Sequence, residues 1–231
     1  MRTDLTIPSA WRAALGAVQS IVPQAVLAGG ALRDRDNGKK VKDLDIFLPV
    51  SENTWYDLDM VRRAMTKMDF EATISESKMY PQSDNRIVGV VDVKYVGAPP
   101  LQLIVGEWGQ TINDLFQLFD FGICQIAFDG RDIHRSKDYA IDLRDKKFRL
   151  VTPRTTQSFE QSVERFARLK HEKYQDWKFD LGHWGGLFTG SGGFRFVRDE
   201  FVVPVDSPLA SQNLHNVASR AAAMKKDSQR G

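Results

Sequence analysis

The residues best placed to do chemistry are Asp43 and Asp45, in Asp43-Leu-Asp-Ile-Phe47. Side chains at i and i+2 of a strand share a face, so the two carboxylates project together while Leu44 and Ile46 pack inward. Paired carboxylates repel unless a cation lies between them. Hard oxygen ligands with open positions suit Mg²⁺ or Mn²⁺, which complete their coordination with substrate phosphates. Sixteen residues before Asp45 stands the bend Gly29-Gly30, in Leu27-Ala-Gly-Gly-Ala-Leu-Arg-Asp34. Lacking side chains, it lets a polyphosphate approach the backbone at the start of a helix, where N–H groups favour an anion.

The elements that must carry these residues follow from spacing. Trp11, Leu15, Val18 and Val22 recur at helical intervals between Pro8-Ser9 and Pro23, and Ala25 to Ala28 then reads as a short buried strand. Ala31 to Arg35 suits one or two helical turns, and Asp43 to Pro49 alternates as a half-buried strand. A helix is expected over 52–68, a strand over 70–74 and a polar loop over 75–86. Ile87 to Val96 and Leu101 to Val105 flank Gly97-Ala-Pro-Pro100 as a hairpin. A helix over 113–119, a strand over 123–128 and a tight turn at Asp129-Gly-Arg-Asp132 follow.

The pattern Gly29-Gly30, Arg33-Asp34 and Asp43-Leu44-Asp45 resembles the nucleotidyltransferase superfamily of DNA polymerase β, CCA-adding enzymes and poly(A) polymerases. The likeness is strong over 25–48 and looser to about 130. It implies an α/β (α+β) fold, a mixed sheet flanked by helices, with a C-terminal helical appendage. It also implies that Gly29 and Gly30 cradle a nucleoside triphosphate, that Arg33 is a candidate phosphate contact, and that Asp43 and Asp45 hold the metals. A nucleoside monophosphate would pass to a hydroxyl on RNA, tRNA, a protein side chain or a small molecule, with loss of pyrophosphate. The family usually adds a third acid on a later strand, and here that slot, in Leu101-Gln102-Leu103, holds glutamine. Asp92, in Val90-Val-Asp-Val-Lys94, is the favoured substitute as catalytic and metal residue, and Asp120 in Phe119-Asp-Phe121 is a further candidate. Gln102 also admits a second reading, a nucleotide- or nucleic-acid-binding module that has lost turnover. The runs Leu101 to Ile104, Phe119 to Phe121 and Phe128 to Gly130, with the basic stretch Arg165 to Lys170, are similar to little-characterised viral and phage members.

Residues 1–134 thus read as a nucleotidyltransferase-like core and 135–231 as a mainly helical region. In the latter, helices are expected over 139–143, 159–174 and 209–224, with a glycine- and aromatic-rich loop at 180–196. Arg165, Arg168, Lys170 and Lys173 make that helix basic, but Glu160, Glu164 and Glu172 dilute it. A solvated face laced with ion pairs is therefore expected, the alternative being a track for nucleic-acid phosphates. The length is too short for the large helical body with which CCA-adding enzymes grip tRNA, so that activity is not expected. Composition narrows the setting. Of 231 residues, 42% are hydrophobic and 27% charged, with a net charge of +2, as in a soluble folded chain. No apolar run reaches the roughly 18 residues a bilayer needs, so no membrane partner is expected. Cys124 alone forms no disulfide and no multi-cysteine zinc site, which favours the cytoplasm, and its apolar run predicts a buried thiol.

Overall fold

The computed structural model describes residues 5–50, 59–61, 63, 87–93, 99–109, 111–152, 156–182, 195–197 and 200–202. Helix α1 (Ser9–Gln19) starts after Pro8 and buries Trp11, Leu15 and Val18. Strand β1 (Val26–Ala28) leads through Gly29 into α2 (Gly30–Asp36), and β2 (Leu44–Pro49) follows. Of α3, residues 59–61 and 63 are described. Next come β3 (Ile87–Val93), β4 (Leu101–Gly106) and α4 (Ile112–Phe116), the last opened by a Thr111–Asp114 capping box. The expected strand over 70–74, the loop over 75–86 and the helix over 209–224 lie outside the described residues, as does most of the 180–196 loop.

Six strands form one mixed sheet in the order β3-β4-β2-β1-β5-β6, with β5 at Ile126–Phe128 and β6 at Ile133–Arg135. Only the β2–β4 pair is parallel among these neighbours; β3 and β4 make the expected antiparallel pair. Leu44, Ile46 and Leu48 of β2 and Leu101, Leu103 and Val105 of β4 are buried on one face. The opposite face carries Asp43, Asp45 and Gln102. At Asp129-Gly-Arg-Asp132 the expected turn forms: the Asp129 Oδ1 accepts the N–H groups of Arg131 and Asp132, and Gly130 takes φ +99°.

The strand expected over 123–128 begins later. Gly122–Cys124 is a 3-10 turn, because the buried Asp142 carboxylate accepts the Ile123 N–H at 2.9 Å and draws the chain toward α5 (Lys137–Asp145). Two cationic contacts, Arg149 Nε to Asp142 at 3.1 Å and Arg149 Nη2 to Asp138 at 2.8 Å, tie β7 (Lys147–Arg149) to the same helix. The region after residue 134 is thus less purely helical than its periodicity suggests. Helix α6 (Thr156–Glu172) connects β7 to the parallel strand β8 (Lys178–Asp180), and β9 (Arg195–Val197) pairs with β10 (Glu200–Val202). These strands have three residues each, too few for alternation to stand out.

Aromatic rings seat α6. Phe148 lies 5.3–5.5 Å from the centroids of Phe121, Phe166, Tyr174 and Trp177, so helix, strand and sheet share one apolar cluster. No helix among the described residues is long and apolar enough to cross a membrane.

Candidate functional site

A cleft of about 280 Å³ opens between the polar face of the sheet and α6. Asp43 and Asp45 line it from β2 and its approach, as the i, i+2 spacing requires, and Phe47 continues their row as an apolar wall. Phe47 meets Phe119 edge to face at 5.4 Å, and Ile104 of β4 lies on the same side. Burial first, and the adjacent Asp43 second, push the Asp45 carboxyl up to about 7, against the weaker opposing pull of Arg165, Arg33 and Lys42. At neutral pH the pair is therefore short of its full negative charge, and an added cation would restore it.

The two glycines divide the work. Gly30 lines the cleft. Gly29 caps α2 at φ +79°, where a Cβ would stand 2.9 Å from Phe119 Cε1, so it shapes the bend and gives the ring room. Arg33, one helical turn on, also lines the cleft although almost wholly buried. Its Nε and Nη2 reach Asp34 Oδ1 at 2.8 and 2.6 Å, and its Nη1 reaches Cys124 Sγ at 3.2 Å. Its charge is among those that oppose the raised pKa of the Asp45 carboxyl. Asp34 in turn accepts the Tyr174 hydroxyl at 2.8 Å and the Lys173 ammonium. Cys124 is buried as expected, and burial raises its thiol pKa.

The opposite wall belongs to α6. Gln161, Ser162, Arg165, Arg168 and Leu169 share one helical stripe and all line the cleft. The basic residues expected to form a solvated face are therefore divided. Arg165 and Arg168 border the cleft, Lys173 reaches Asp34, and Lys170 lies 5.8 Å from the Phe166 ring centroid. Ser162 and Leu169 fall on the arginine stripe and both are buried, so this side of α6 is the one turned to the sheet. Asp120 faces the same stripe: its carboxylate accepts Ser162 Oγ at 2.8 Å and Arg165 Nη1 at 3.0 Å, and Val151 N–H fixes its carbonyl at 2.8 Å.

Asp92 stands apart. Asp45 is paired with Gln102 and Gln102 with Asp92, so Asp92 lies two strands from Asp45, about 10 Å at ordinary strand spacing. Asp92 is not among the residues that line the cleft. Gln102 fills the gap and donates Nε2–H to Asp92 Oδ1 at 2.7 Å. Among the described residues, no three His, Cys, Asp or Glu side chains gather closely enough to hold a metal ion. The donor set instead fits one hard cation on Asp43 and Asp45, with positions left for phosphate oxygens.

Known folds match this architecture. A tRNA-processing enzyme in its apo form I gives a TM-score of 0.53 at 18% identity, over 78% of this chain and 46% of that one. The Bacillus stearothermophilus CCA-adding enzyme in complex with CTP gives 0.51 at 16% identity, over 80% and 44%. The Thermotoga maritima CCA-adding enzyme complexed with tRNA gives 0.50 at 18% identity, over 78% and 41%. The fold is nucleotidyltransferase-like, and the chain spans less than half the length of these solved neighbours. No curated protein matches it in sequence. Residues 11–146 match the family described as Gabija anti-defense 2 (Gad2), and because that stretch is more than half of the sequence and runs from α1 past the end of α5, the chain belongs to the Gad2 family.

Proposed function

We propose that the cleft binds a nucleoside triphosphate with Mg²⁺ or Mn²⁺, transfers the nucleoside monophosphate to a hydroxyl, and by that reaction counters the defence for which the family is named. The observation that carries this reading is the opposition of two acids, Asp43 and Asp45, to Arg33, Arg165 and Arg168 across one cleft. Asp43 and Asp45 would hold the cation, which when bound would screen the phosphates and favour departure of pyrophosphate. The arginines offer fixed positive charge to the remaining phosphate oxygens, and Gly30 leaves room for them. Phe47, Ile104 and Phe119 give the base an apolar surface. As the acceptor oxygen bonds to the α-phosphorus, the bond to pyrophosphate breaks and the hydroxyl proton leaves to water. The CTP and tRNA bound in the solved neighbours support a nucleotide here and make RNA one of the acceptors to test, beside a protein side chain and a small molecule. Residues 1–134 act as the catalytic core in this proposal, and α6 completes the cleft.

Incubation with each α-labelled triphosphate, Mg²⁺ and candidate acceptors tests the reading. Label transferred by the native chain and lost in Asp45→Ala, with native-like melting, supports it; equal transfer by both proteins overturns it. Gln102, in place of an acid, favours a second reading as a binding module. Nucleotide binding without transfer to any acceptor is its expected signature.

A further inference from the structure

Resting on the nucleotidyltransferase reading, we infer that Gln102 supplies a neutral oxygen ligand to the cation of Asp43 and Asp45, and that Asp92 is the positioning residue that orients its amide. The strand register sets Asp45, Gln102 and Asp92 in one row across β2, β4 and β3. Paired residues of adjacent strands share a face, with Cβ atoms about 5 Å apart, so Gln102 stands beside Asp45. Gln102 lines the cleft.

An amide has a donating and an accepting branch, and the neighbour that binds one branch decides where the other goes. A carboxylate only accepts, so Asp92 selects the nitrogen, which it holds at 2.7 Å. The carbonyl branch is thereby turned to the β2 side, where Asp45 stands. Without Asp92 the amide has no reason to keep that orientation, and its reverse would present N–H groups to a cation. Hard divalent ions accept amide carbonyl oxygens among their ligands. Such a ligand adds no charge, so the site is suited to one cation where three acids would attract two. Asp92, expected as the substitute ligand, thus acts through its neighbour Gln102, as partners behind the ligands of metal sites commonly do.

Mn²⁺ binding to the full chain without nucleotide, followed by electron paramagnetic resonance, tests this apart from turnover. The native chain is expected to bind one Mn²⁺, and Asp92→Asn to weaken it on the order of tenfold. In a Gln102→Glu background the same change is expected to have no weakening effect, since a carboxylate at 102 has no branch to select. An equal loss in both backgrounds, or no loss in the native one, overturns the inference. Gln102→Leu is the alternative background should Gln102→Glu fail to fold, judged by circular dichroism. Asp45→Ala separates the two levels: unchanged Mn²⁺ binding removes the nucleotidyltransferase reading itself. If Asp45→Ala abolishes binding while Asp92→Asn acts alike in both backgrounds, only the inference about Gln102 falls.

Discussion

Asp45 bears the conflict between fold and chemistry most directly. Its carboxyl titrates at about 7 where 3.8 is ordinary, because burial and Asp43 both oppose its charge. Between those values the folded chain keeps a proton that the unfolded chain has lost. Stability is therefore expected to fall as pH rises through that window and to level off above 7. Asp45→Asn removes the charge that causes the loss. Without divalent ions it is expected to melt roughly 3 °C above the native protein at pH 8, with the difference closing toward pH 4. Thermal melts across that range check it, and parallel profiles for the two proteins would contradict it. Divalent affinity runs in the opposite sense and should strengthen from pH 6 to 8, as the proton that competes for Asp45 is lost.

Among the elements, the turn at Gly122–Cys124 is the most tightly constrained. A Cβ on Gly122 would stand 2.6 Å from Asp142 Oδ2 and 3.2 Å from the Asp138 carbonyl carbon. Gly122→Ala is expected to destabilise the chain by about 1–3 kcal/mol, read as a lower urea midpoint, because neither atom belongs to a mobile surface group. This turn also shows where sequence reading loses sight of structure. The elements α1, β1, α2 and β2 were legible because each carries its own periodicity and its own proline or glycine boundary. Phe121 to Phe128 is apolar enough to read as a strand throughout, and what bends its first half is the carboxylate of Asp142, 19 residues on from Ile123. Asp43 and Asp45 were legible as a pair for a related reason, since i, i+2 geometry is local. That Arg165 and Arg168 border the cleft depends on how α6 docks through Phe148 and Tyr174, and helical periodicity does not fix that docking.

At the scale of the whole molecule, the cleft exists because α2 and α6 are held in register. Asp34 makes that link, with its buried carboxylate between Arg33 on its own helix and Lys173 and Tyr174 just past the end of α6. Asp34→Ala leaves Arg33 buried without its anion and is expected to lower stability by about 3–5 kcal/mol. Chemical denaturation measures it, and a loss of the size usual for a surface substitution would show that the network is dispensable. Where the variant stays folded, its triphosphate affinity should fall with it, since Arg33 loses the contact that fixes its plane.

The span of that link, 140 residues from Asp34 to Tyr174, also sets a time of assembly. During synthesis the acids and the glycine bend leave the ribosome early, yet they face open water until Tyr174 emerges. A nascent chain that has not yet released that segment would hold half a cleft, so ribosome-stalled lengths that leave Tyr174 inside and outside the exit tunnel should divide sharply in nucleotide retention.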